Sequence, residues 1–162
     1  MAKDVIHTLI TNWKKQESHW NVDSMGIVGR LMILGNLLTK RANRLFENIG
    51  LGYTDFDVLA TLRRQGSPYQ LTPTELRNSV LLTSGAMTAC LDRLETKSLI
   101  ARKRASNDRR VVVIHLTKKG LALVNNEAPK RFADSDEVVS SLSESEKNQL
   151  EKLLTKLLGE LS

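Results

Sequence analysis

The residues of this chain best equipped for chemistry are cations, and they are clustered. Between positions 61 and 120 twelve Lys and Arg stand against four acids, whereas the remaining 102 residues hold twelve against fourteen. The net charge of +6 therefore resides in the middle of the chain, the electrostatic footprint of a surface that binds a polyanion such as nucleic acid. Arg102-Lys103-Arg104 is followed closely by Asp108-Arg109-Arg110. Guanidinium forks suit phosphate oxygens, and an Arg at a loop tip can enter a narrow minor groove, where negative potential is enhanced. Asp108 belongs in such a site only if it orients a neighbour, and a charge-assisted pair with Arg110 gives it that task. Arg77, Arg102, Lys103 and Arg104 are the expected phosphate contacts, which position without reading sequence.

Other chemistry is poorly provided for. His7, His19 and His115 have no metal-ligand spacing with one another or with Cys90, and no phosphate-cradling glycine loop, nucleophile elbow or HExxH pattern occurs. The reading is of a non-enzyme without metal or cofactor. A single cysteine cannot form an internal bridge, so the expected location is the reduced cytoplasm. Cys90 itself reads as a small buried hydrophobe more than as a redox switch. Apolar runs fall far short of the roughly 18 residues that a membrane span needs.

The cations need elements to hold them. Val5, Leu9, Ile10 and Trp13 predict a short helix over about 3–16, and Ile27, Leu31, Leu34, Leu38, Ala42, Leu45, Phe46 and Ile49 a long one from Gly26 to the stop at Gly50. Thr54 is placed to cap a third helix to about Arg64, with Phe56, Leu59, Ala60 and Leu62 inward. Thr72-Pro73-Thr74-Glu75 is a capping box with proline at the first helical position, opening a short helix to about Ser79. Another helix starts at Thr83 or Ser84 and runs to Lys97. Two helices so tightly joined are a helix-turn-helix, and the second is the element that enters a major groove. Its spacing turns Ala86, Met87, Cys90, Leu91, Leu94 and Ser98 inward and presents Ser84, Gly85, Thr88, Ala89, Asp92 and Arg93 to DNA, with Thr74 and Arg77 from the helix before. Base readout then rests on hydroxyls and on methyls against thymine, since long donors are few.

Two β-rich runs, 99–104 and 111–116, flank the hexapeptide that bears Asp108-Arg109-Arg110, forming a hairpin. Thr117 caps a further helix through about Arg131, which contains Pro129 and must bend or stop near it. The Ser143–Glu146 capping box opens a last helix with Leu150, Leu153, Leu154, Leu157, Leu158 and Leu161, more apolar surface than one small core needs, which marks an interface. The fold class is mainly α with a small β-hairpin wing: a winged helix-turn-helix at 51–117, with helices at 1–50 and 118–162 that dimerise.

With that frame in place, Asp55-Phe56-Asp57-Val58-Leu59-Ala60-Thr61-Leu62-Arg63-Arg64, Leu71-Thr72-Pro73-Thr74-Glu75-Leu76, Ser84-Gly85-Ala86-Met87-Thr88, Leu91-Asp92-Arg93-Leu94-Glu95 and Asn107-Asp108-Arg109-Arg110 resemble the MarR family of bacterial transcription regulators in order and spacing, over about 26–126. The resemblance implies a homodimer that binds a pseudo-palindromic duplex, most often as a repressor. Trp13, Arg30 and Asp57 are similar to the PecS-like, urate-responsive subgroup, which implies a small aromatic effector near Trp13, Arg30, Asp57 and Cys90. Where those relatives carry Arg on the recognition helix, this chain has Cys90, which implies a weak response to urate. A DNA-binding, architectural or partner-docking module without a ligand is the alternative.

Overall fold

The computed structural model describes residues 4–80, 84–104 and 110–161. The elements are α1 (Val5–Gln16), α2 (Met25–Glu47), α3 (Tyr53–Arg64), β1 (Gln70–Leu71), α4 (Pro73–Ser79), α5 (Ser84–Thr96), β2 (Ile100–Arg104), β3 (Val112–Leu116), α6 (Lys118–Val138) and α7 (Glu144–Leu161). They form two compact units that meet in sequence between Tyr53 and Thr54.

In the first unit, Asp4 caps α1 by accepting the His7 N–H at 2.8 Å. The same carboxylate takes a fork from Arg30, with Nε at 2.8 Å and Nη2 at 3.0 Å, while Arg30 Nη1 donates to the Gly26 carbonyl at 2.8 Å. These bonds tie the start of α1 to α2. Small residues on α2 allow the approach: a Cβ at Gly29 would lie 2.8 Å from Ile6 Cδ1, and one at Gly26 3.1 Å from Ile10 Cδ1. The amphipathic spacing of α2 does not translate into burial within this chain. Ala42 and Phe46 are buried, but Ile27, Leu31, Leu34 and Leu38 of the same stripe are exposed along with Val28, Met32 and Leu37. So much uncovered apolar surface on a single helix exceeds what a monomer ordinarily shows water.

The second unit builds the hairpin and the paired helices around one core. Leu59, Leu62, Leu76, Leu94, Ile100 and Ile114 are fully buried. Each such side chain contributes about 1.5–3 kcal/mol by leaving water. α3 begins at Tyr53, whose N–H is accepted by Asn43 Oδ1 at 2.9 Å, so Thr54 lies inside the helix and is not its cap. The capping box of α4 forms as expected: Glu75 N–H donates to Thr72 Oγ1 at 3.2 Å, and the Thr72 N–H donates to Glu75 Oε2 at 2.7 Å. The sheet is antiparallel in the order β1-β3-β2, with Arg102 opposite Ile114 and Arg104 opposite Val112. β1, which pairs Gln70 with His115, adds a strand to the expected hairpin.

Thr117 fastens the end of the hairpin to α6. Its Oγ1 accepts the Gly120 N–H at 3.0 Å, its N–H donates to the Leu99 carbonyl at 3.1 Å, and its hydroxyl proton is shared between the carbonyls of Ser98 at 2.8 Å and Leu99 at 3.1 Å. Beyond it, α6 does not stop at Arg131 but passes through Pro129 to Val138. A proline removes one ladder bond, and side chains bridge the weak turn: Lys130 meets Glu127 at 2.8 Å and Arg131 meets Asp134 at 3.5 Å. The box at Ser143 and Glu146 opens α7, where Leu150, Leu153, Leu157, Leu158 and Leu161 are exposed.

Candidate nucleic-acid interface

α5 is amphipathic in the sense the sequence predicts, with two exceptions. Met87, Cys90, Leu91 and Leu94 are buried; Ala86 and Ser98, expected inward, are exposed. Ala86 stands in the first turn, before α5 is covered, and Ser98 follows the helix with φ of 57°, where the chain has left the helical register. Gly85, Thr88, Ala89, Asp92 and Arg93 are exposed, and Ser84 opens the helix. The structure brings Thr74 and Arg77 of α4 together with Thr88 of α5 around a shallow cleft of about 150 Å³, walled by Pro73, Met87 and Leu91. Thr83, Asp108 and Arg109 lie outside the described residues. Arg110 follows them in an exposed turn, and Arg104 ends β2 with its side chain in solvent.

One expected phosphate contact, Arg102, and one residue expected on the DNA-facing side of α5, Arg93, have protein partners. Arg93 Nη2 lies 2.7 Å from Oδ1 of Asp55, a carboxylate of α3 whose side chain is 7% exposed. Arg102 spans from β2 to α5, with Nη2 at 2.6 Å from Asp92, Nη1 on Glu95, and its backbone N–H donating to Glu95 Oε1 at 3.1 Å. Arg102 is thereby shared by the two acids of α5 and offsets one of their two negative charges. Asp55 escaped the sequence reading, although its place one helical turn before Leu59 and two before Leu62, both buried, puts an acid on the inward face of α3.

The residues grouped for an effector fall in both units. In the first, Trp13 is 40% exposed and packs against Trp20 with ring centroids 5.4 Å apart, a partner the sequence reading did not name. Arg30 is engaged by Asp4 and the Gly26 carbonyl. In the second unit, Asp57 and Cys90 have different neighbours. Burial pushes the Asp57 carboxyl above its ordinary value, opposed by the nearby charges of Arg64 and Arg131. Burial likewise pushes the Cys90 thiol to about 12, reinforced by its hydrogen bond to Asp55 and the negative charge there. A thiol so held has almost no thiolate at neutral pH. Among the described residues, no group of three His, Cys, Asp or Glu is placed to hold a metal, and no helix is long and apolar enough to cross a membrane.

A tightly joined helix pair, an exposed second helix and a basic hairpin packed against it define a winged helix-turn-helix protein. Residues 51–112 match the MarR family. The transcriptional regulator PecS of Dickeya dadantii is 32% identical over 149 residues, covering 92% of this chain and 90% of that protein. MhqR of Bacillus subtilis, also a transcriptional regulator, is 36% identical over 116 residues, covering 71% and 77%. The chain belongs to the MarR family, and these relatives are regulators of transcription, not enzymes. A crystal structure of a mutant MarR from E. coli complexed with operator DNA superimposes with a TM-score of 0.72 at 29% identity, covering 85% of this chain and 97% of that one.

Proposed function

We propose that this chain is a ligand-responsive repressor of transcription that binds a pseudo-palindromic operator as a homodimer. The observation that carries DNA binding is the exposed face of α5, with Gly85, Thr88 and Ala89 clear of the core and Thr74 and Arg77 beside them, next to the basic strand β2. The related MarR seen with operator DNA supports the same use of this architecture. Short side chains let the helix come close to base edges, where the methyls of Thr88 and Ala89 meet thymine methyls, while Arg77, Lys103 and Arg104 meet phosphates. Arg110 at the wing reads groove shape, oriented by Asp108. The exposed leucines of α7 and the uncovered apolar side chains of α2 supply the dimer surface. A two-fold dimer places its recognition helices about one helical turn apart on the duplex.

The effector reading rests on the similarity to PecS-like regulators at Trp13 and Asp57. Arg30 is already paired and Cys90 brings no positive charge, so the preferred effector is a neutral or singly charged aromatic, and urate is a poor one. Fluorescence anisotropy on a duplex selected by the protein from random sequence tests the reading. Binding must weaken steeply with salt and show two-fold symmetric selection. A salt-independent affinity, or selection of an asymmetric site by monomers, refutes it. Release by a panel of phenols and aromatic acids, but not by urate, tests the effector.

A further inference from the structure

We propose that Asp55 is a positioning residue for DNA recognition: through Arg93 it fixes the rotation of α5 about its own axis. This inference rests on the DNA-binding reading above.

The Asp55 side chain is buried, and a buried carboxylate is costly unless paired; its pair here comes from the recognition helix. Arg93 Nη2 reaches Asp55 at 2.7 Å, and the Cys90 thiol hydrogen-bonds the same side chain. Positions 90 and 93 are neighbours on one flank of α5, so two of its side chains converge on one group of α3. The other flank is held by Arg102, which reaches Asp92 and Glu95 from β2. Gly85 and Ala89 lie between the two flanks, and Thr88 stands one turn before Asp92 on the second. Side-chain tips stand about 5–6 Å from a helix axis, so a rotation of about 20° moves them by about 2 Å. Such a shift breaks a hydrogen bond to a base edge but leaves long, mobile phosphate-binding side chains in reach. Arg93 is in this account a strut and not a phosphate contact. The two roles make opposite predictions for Asp55→Asn, which removes the anchor and sets the guanidinium loose.

The test uses the full chain, the selected duplex, an unrelated duplex of equal length, and amide hydrogen exchange without DNA. In Asp55→Asn, affinity for the selected duplex should fall about tenfold, as expected for a coupled pair, while that for the unrelated duplex and the salt slope stay unchanged. Exchange along α5 should rise about tenfold with α2 and α7 unaffected. Arg93→Gln should give the same pattern, the double variant should be no worse than either single one, and Arg93→Lys should restore part of the loss. Equal or tighter binding by Asp55→Asn, equal losses on both duplexes, additive losses in the double variant, or unchanged α5 exchange would each overturn the proposal. If the wild-type chain selects no duplex, the DNA-binding reading fails by itself, and α5 exchange still decides whether Asp55 restrains the helix. Should Asp55→Asn not fold, Arg93→Gln carries the same measurements, because its side chain is half exposed.

Discussion

Replacing Gly120 by Ala should damage the protein far more than a single methyl suggests. A Cβ at this position would lie 2.1 Å from the Leu99 carbonyl oxygen, 3.0 Å from its carbon and 2.9 Å from Leu116 Cδ1. The leucine tip can turn away; the carbonyl cannot, because it is backbone that accepts the Thr117 N–H at 3.1 Å. Relief therefore requires α6 to move off the sheet, which costs about 3 kcal/mol at the upper end of overpacking. Loosening the Thr117 cap adds about 1 kcal/mol. Alanine's better helix propensity returns about 1 kcal/mol, so a net loss of about 3 kcal/mol is expected. For a chain of this length that lowers Tm by about 6–12 °C. Urea and thermal unfolding followed by circular dichroism, at matched protein concentration, measure it. Gly159→Ala is the control: nothing lies within 4 Å of its added Cβ, and it should gain a few tenths of a kcal/mol. A Gly120→Ala variant within about 0.5 kcal/mol of wild type would refute the argument, since the contact leaves no unstrained way to fit a methyl.

Three further outcomes are expected. Because burial raises the Asp57 carboxyl, the folded state holds that proton more tightly than the unfolded chain, and its contribution to stability falls as pH rises from 3.8 through the raised value. Asp57→Asn should therefore be at least as stable as wild type at neutral pH and flatten that dependence; a loss of stability in urea unfolding at neutral pH would contradict this. With its thiol pushed to about 12, Cys90 should react with a disulfide reagent near pH 8 on the order of 10³-fold more slowly in the native protein than in urea, and comparable rates would show that α5 does not shield it. Thr72→Ala should cost about 1 kcal/mol. Glu75, held below its ordinary value by Thr72, supports folding above pH 4.5 and ceases to as pH falls through its lowered value, so the variant should show a smaller change across that range, and an unchanged acid profile would count against the box.

What could be read from the sequence was local. The capping boxes at Thr72 and Ser143, the amphipathic order of α5 and the paired β-runs depend on residues a few positions apart, and they appear where the spacing puts them. The errors have longer-range causes. β1 is two residues long, too short to show an alternation, and exists because β3 offers it a partner. α6 runs on through Pro129 with Val124 and Glu127 buried in the turns before it, packing that local propensity does not register. Hydrophobic spacing announced that α2 has an apolar stripe but not what covers it, and within this chain its first half stays exposed. At the candidate interface the exposed short residues of α5 were legible as a face. The partners of Arg93 and Arg102 were not, because charge composition records how many cations are present and says nothing of which are already matched by Asp55, Asp92 and Glu95.

The junction at Leu99 makes the hairpin a lever. Its carbonyl, the turn at Thr117 and the first residues of α6 are bonded into one piece, with the closest approach at Gly120, so that piece is the fulcrum and β2 and β3 are the arm. Each strand runs five residues, and at about 3.3 Å per residue the far end lies roughly 16 Å from the fulcrum. A tilt of about 10° at the head of α6 thus sweeps the strand ends through about 3 Å, comparable to a hydrogen-bond length. Arg102 couples the arm to α5 partway along, so the same tilt pulls on the recognition helix through Asp92 and Glu95 over a shorter radius and with a smaller stroke.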